Sequence, residues 1–141
     1  MSERFSELLQ TVESQLRLHP GADQVIAVET GSKQIRWFAN TLGTEAEDHF
    51  AELLSQQHDS AAALLVCMWA DGTIDLPSMH LRRLLLESDP GNEHTLMLLQ
   101  SDSGPITRTI GWSMPYSLPR GEGGPEGVGR GTAKPDSLEN A

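Results

Sequence analysis

Near the start of the chain, apolar residues fall at Phe5, Leu8, Leu9, Val12 and Leu16, three and four positions apart, so that a 3.6-residue helix would carry them on one side. The spacing predicts a helix over residues 3–18. Ser2 is placed to cap it, and His19-Pro20-Gly21 ends it, because proline disfavours helix in the residue before it and glycine leaves helical geometry readily. The pattern then changes. Residues 24–29 and 33–38 are rich in Val, Ile and aromatic side chains and flank Thr30-Gly31-Ser32, the composition of two strands joined by a short turn.

Thr44-Glu45-Ala46-Glu47 has the spacing of a capping box, in which the hydroxyl and the carboxylate each accept from an otherwise unpaired backbone N–H. It predicts a second helix over residues 45–57, with Ala46, Phe50, Leu53 and Leu54 inward. Residues 61–70 are apolar almost without interruption, which suits a strand covered on both faces at the centre of a sheet. Asp71-Gly72 is a hairpin signal, and residues 73–76 are expected to return as a short strand. Pro77 and Ser78 open a third helix through residue 88 with Leu81, Leu84 and Leu85 inward, closed by Asp89-Pro90-Gly91-Asn92 as a turn. Residues 95–100 and 106–112 make a last hairpin across residues 101–104.

The expected order is α-β-β-α-β-β-α-β-β, an α+β fold with a mainly antiparallel sheet of about five to six strands and three helices packed on it, in one domain over residues 1–114. Of the seven glycines before residue 115, only Gly111 falls inside an expected strand. From Pro115 onward, ten of 27 residues are Gly or Pro and apolar residues stand alone, so residues 115–141 are expected to be a disordered tail that cannot offset its ordering entropy. That tail explains an overall hydrophobic share of 38%, below the roughly 45–50% of ordinary globular chains.

Charge adds a second layer. The net charge is −10, with a sequence pI of about 4.8, which sets the protein's own field against nucleic-acid phosphate and anionic lipid. No apolar run approaches the roughly 18 residues of a membrane span, and the acid-containing start of the chain does not read as a secretory signal. With Cys67 as the single cysteine, a cytoplasmic location is expected. No Lys or Arg lies between Arg36 and Arg82, whereas seven acidic residues do. Glu45, Asp48 and Glu52 recur at helical steps, and with Asp59 they suggest an acidic surface for a basic protein partner. Trp37, Phe38, Trp69 and Trp112 are candidate anchors where one lies exposed on an edge strand, with Trp69 expected in the core, and self-association through an edge strand is a further expectation.

Signatures of chemistry are sparse. Cys67 sits mid-strand among Leu, Val, Met and Trp, where a thiol is ordinarily a buried hydrophobe. No Gly-x-Ser-x-Gly elbow, His-x-x-x-His pair, Cys-x-x-Cys pair or phosphate-cradling glycine loop occurs, so no catalytic residue, metal or cofactor is assigned. The best cluster for acid–base work is Asp71, Asp75, His80, Arg82 and Arg83, where a histidine lies near carboxylates and two arginines stand ready for an anion. In outline, small size, acidity and a leading amphipathic helix resemble secretion chaperones, toxin-neutralising immunity proteins and phage-type inhibitors, an analogy that implies no function by itself. The leading expectation is therefore a non-enzymatic acidic module that binds a basic protein. The alternatives are a small enzyme or ligand-binding domain around Asp75, His80, Arg82 and Arg83, and a structural subunit of a larger assembly.

Overall fold

The computed structural model describes residues 3–41 and 43–115. A 3-10 turn (Glu3–Phe5) leads into α1 (Ser6–Leu18), then come β1 (Gln24–Thr30), β2 (Ile35–Asn40), α2 (Glu45–Gln56), β3 (Ala62–Trp69) and α3 (Met79–Ser88). A second 3-10 segment (Pro90–His94) precedes β4 (Leu96–Ser101), β5 (Gly104–Thr109) and the single turn α4 (Ile110–Ser113). The expected cap Ser2 and all of the expected tail beyond Pro115 lie outside the described residues.

The fold is α+β, with a five-stranded sheet in the order β2-β1-β3-β4-β5. β3 is central, as its unbroken apolar run requires. Pairings within β1–β2, β1–β3 and β4–β5 are antiparallel, but β3–β4 is parallel, so the sheet is mixed and α3 is the crossover that a parallel pair needs. The two faces of β1 and β3 are covered by different layers. Phe5, Leu8 and Val12 pack from the N-terminal elements on Val25, Ala27 and Val66. Phe50 and Leu54 of α2 and Leu81 and Leu85 of α3 pack on Ile26, Val28 and Cys67 of the other face.

Two expected strands change. Residues 73–76 form no strand beyond a single bridge between Ile74 and Met68. The tight turn itself is present: Gly72 adopts φ +90, a conformation that glycine takes at no steric cost, and its N–H donates to Trp69 O at 2.8 Å. Pairing then stops because the Asp75 carboxylate accepts the Leu76 N–H at 2.8 Å and Pro77 has none to offer. The last hairpin is shorter than expected. β5 ends at Thr109, whose side chain accepts the Trp112 N–H at 3.1 Å and starts α4. Gly111 thus belongs to a helical turn, where a Cβ would stand 3.1 Å from the Glu93 carbonyl oxygen.

The outer strands are β2 and β5, the two along which an edge pairing between copies would have to form. Large apolar side chains exposed among the described residues are Leu18, Trp37, Leu53 and Trp112, each on a different element. Among those residues no helix is long and apolar enough to cross a membrane.

Candidate functional site at the start of two helices

α2 and α3 pack side by side over the same sheet face, and their first turns meet. The expected capping box at α2 does not form, because Thr44 takes helical geometry and its side chain makes no cap bond. Glu47 instead turns across to α3 and is buried, at 2% exposure. Ser78 Oγ donates to Glu47 Oε2 at 2.8 Å and accepts the Leu81 N–H at 3.0 Å, so one hydroxyl caps α3 and ties it to α2. The other carboxylate oxygen, Glu47 Oε1, is buried with no hydrogen-bond partner. Beside this pair, Asp48 Oδ1 lies 2.7 Å from His80 Nε2, so successive acids of α2 engage two residues at the start of α3.

The sheet beneath contributes a buried polar row. Asn40 Nδ2 donates to Gln24 Oε1 at 3.0 Å, and Gln24 Nε2 donates to Cys67 Sγ at 3.4 Å. All three residues are almost fully buried, and the register pairs Gln24 with Asn40 and with Trp69, so the row runs across the adjoining ends of three strands. Burial pushes the Cys67 thiol up to about 12, and the negative charges of Asp75 and Glu47 add to that.

Next to this row opens a cleft of about 440 Å³, lined by Asp23, Trp69, Ala70, Asp71, Thr73 and Asp75. Asp71 accepts from the Thr73 hydroxyl at 2.7 Å and from its N–H at 2.9 Å, and these bonds hold the Asp71 carboxyl below the usual carboxylate range. The cleft therefore offers an aromatic wall, Trp69, and an anionic rim of Asp23, Asp71 and Asp75.

By shape the chain is similar to the cytidine deaminase of Mycobacterium leprae, with a TM-score of 0.56 and 14% identity over 75% of this chain and 96% of that one. It is similar also to the cytidine deaminase of Mycobacterium tuberculosis, with a TM-score of 0.54 and 17% identity over 77% of this chain and 95% of that one. The fold is that of the cytidine deaminases. No protein-family model and no curated protein matches the sequence.

This enzyme fold overturns the expectation of a non-enzymatic, acidic protein–protein interaction module for a basic partner. The physical reason lies in where these acids sit. Of the residues assigned to that surface, Glu45 and Glu52 are exposed on α2, but Asp48 is engaged by His80. Asp59 is buried and receives Arg36 Nη2 at 2.9 Å and Ser32 Oγ at 2.8 Å. The acid-only stretch is thus answered by an arginine brought in from β2, which local sequence does not reveal.

The alternative cluster divides. Asp71 and Asp75 line the cleft, whereas His80 faces Asp48. Arg82 is buried, donating from Nε to Pro77 O at 3.0 Å and from Nη1 to Ser113 O at 3.2 Å, so it braces the α3 entrance against α4. Arg83 is exposed on α3. Sequence reasoning missed Glu47, Ser78, Gln24 and Asn40 as site residues. Glu47 had one legible signal: it lies three residues before Phe50 and seven before Leu54, a carboxylate on the core side of its helix, where an unpaired charge is costly.

Proposed function

We propose that this chain is a small-molecule-binding domain built on the cytidine deaminase fold, and that its ligand is an amine-bearing heteroaromatic ring of the cytosine nucleoside class. The observation that carries this reading is the cleft in which the Trp69 ring stands with Asp23, Asp71 and Asp75; Glu47 Oε1, a buried carboxylate oxygen without a hydrogen-bond partner, is a further acceptor outside that lining. Leaving such an acceptor unmade costs about 1–3 kcal/mol, which a ligand N–H recovers. An exocyclic amine supplies that donor, the Trp69 ring offers a stacking wall, and Asp23, Asp71 and Asp75 favour a neutral or cationic ligand over a phosphorylated one. The likeness to proteins named as cytidine deaminases supports the same ligand class. We place the protein in the cytosol, a reading supported by its free cysteine.

The test is a calorimetric or NMR titration of the full chain with cytidine, uridine and cytidine monophosphate. Cytidine is expected to bind, with uridine and the monophosphate at least about tenfold weaker, because each sets an oxygen or a negative charge against the acidic site. Glu47→Gln should weaken cytidine by about tenfold or more while the fold is retained. Absence of any cytidine or cytosine binding at millimolar concentration sinks the reading.

A further inference from the structure

Zinc-dependent deaminases hold their metal with a His or Cys and two Cys in the pattern His-x-Glu … Pro-Cys-x-x-Cys, where the Glu moves protons and is not a ligand. This chain presents Glu45-Ala46-Glu47 and, later, Pro77-Ser78-Met79-His80-Leu81. The two segments meet in space as that pattern requires, since Ser78 and Glu47 are hydrogen-bonded at 2.8 Å. Glu47 and Pro77 occupy the two positions that do not bind metal. All three ligand positions have changed: Glu45 stands for the first, Ser78 for the second and Leu81 for the third.

Those residues do not fit zinc. A catalytic zinc takes three protein ligands and keeps a fourth position for water. Leu81 has no donor atom and is fully buried in the core between α3 and the sheet. The Ser78 hydroxyl is a neutral group already committed to Glu47 and to the Leu81 N–H. Glu45 is exposed, and among the described residues no three His, Cys, Asp or Glu side chains converge on a point.

We infer that this chain is a zinc-free form of the deaminase fold, in which the Glu47–Ser78 hydrogen bond and the Leu81 side chain fill the place of the metal and two of its ligands. Hydrolytic deamination adds a water oxygen to the ring carbon and releases the amine as ammonia. The nucleophile for that step comes from water whose pKa a bound zinc lowers to about 7, and Glu47 alone cannot match this. The site binds and does not turn over. This inference rests on the Glu47 site of the preceding reading, but its test needs no ligand.

The full chain, produced in zinc-supplemented cells, is analysed for metal by mass spectrometry and titrated with Co(II). The wild type is expected to hold less than about 0.1 zinc per chain and to give no thiolate-to-cobalt band. The variant Glu45→Cys/Ser78→Cys/Leu81→Cys should take up about one Co(II) per chain with an intense thiolate band, because it restores three ligands to a geometry the fold still provides. Stoichiometric zinc in the wild type overturns the inference. So does a triple variant with native circular dichroism that binds no metal. Should that variant fail to fold, Glu45→Cys/Ser78→Cys keeps the core Leu81 and must bind Co(II) more tightly than the wild type; equal binding overturns the inference. A zinc-loaded chain that binds cytidine sinks this inference alone, and a zinc-free chain that binds none sinks only the preceding reading.

Discussion

The Ser78 hydroxyl joins α2 to α3: it donates to the buried Glu47 carboxylate at 2.8 Å while accepting the Leu81 N–H in the first turn of its own helix at 3.0 Å. Removing it strips a cap and leaves both oxygens of a buried carboxylate unanswered. Ser78→Ala should therefore cost about 1 kcal/mol for the cap and about 1–3 kcal/mol more for the orphaned acceptor. With Glu47→Leu already present, the same change should cost only the cap contribution, because no buried carboxylate remains to be orphaned. Urea unfolding of the four chains of this cycle checks it, and equal costs in both backgrounds refute a coupled pair.

Asn92 is a stronger staple. Its Oδ1 accepts the Ala62 N–H at 2.8 Å, and its Nδ2 donates to Ser60 O at 2.8 Å and to Leu85 O at 2.9 Å, so one buried amide joins the start of β3 to the end of α3. Asn92→Ala leaves three backbone groups without this partner and should destabilise the fold by about 3 kcal/mol, at roughly 1 kcal/mol for each bond. Asn92→Asp should be worse, since a second carboxylate oxygen would then face two carbonyl oxygens. Denaturant midpoints of both variants measure the ranking.

Local pattern carried the layers of this fold but not its joints. β3 was legible because both of its faces are buried, which turns burial into an unbroken apolar run. Residues 73–76 misled because Asp71-Gly72 encodes only the turn, whereas continued pairing depends on where the chain must go next. Trp112 suits a strand by composition, yet Thr109 caps a helical turn just before it. Thr44 and Glu47 satisfy the capping-box spacing, but a half-buried hydroxyl bond 31 residues away competes better for the carboxylate. Asn92 fits turn chemistry in sequence, yet two of its three partners, Ser60 and Ala62, lie about 30 residues away. The site was hidden for the same reason: Gln24, Asn40, Glu47 and Ser78 carry no motif in line, and only the register of β1 with β2 and β3 and the packing of α2 on α3 bring them together.

Cys67 is a buried thiol rather than a nucleophile. With its pKa pushed up to about 12 by burial and by the charges of Asp75 and Glu47, only about one thiol in 10⁴ is ionised at pH 8. Native protein should react with a disulfide reagent at least about 100-fold more slowly than the urea-unfolded chain. The rate is expected to rise with pH well beyond the range of an ordinary cysteine. Rapid stoichiometric labelling of the native chain at pH 8 contradicts this placement.

Asp59 sets an acid limit on stability. The Arg36 guanidinium and the Ser32 hydroxyl bonded to it hold its carboxyl below the ordinary value of 3.8. A carboxyl whose folded pKa is lowered releases its proton more readily in the folded than in the unfolded state, so ionisation favours folding. Its contribution is therefore fully present above the unfolded value of 3.8 and is lost as pH falls through the lower folded value. Asp59→Asn removes that titration. The stability gap between wild type and Asp59→Asn should hold steady from neutral pH down to about pH 5 and shrink at more acid pH. Urea denaturation at a series of pH values measures the gap directly, and a gap that widens on acidification rules out the Arg36–Asp59 bond as its source.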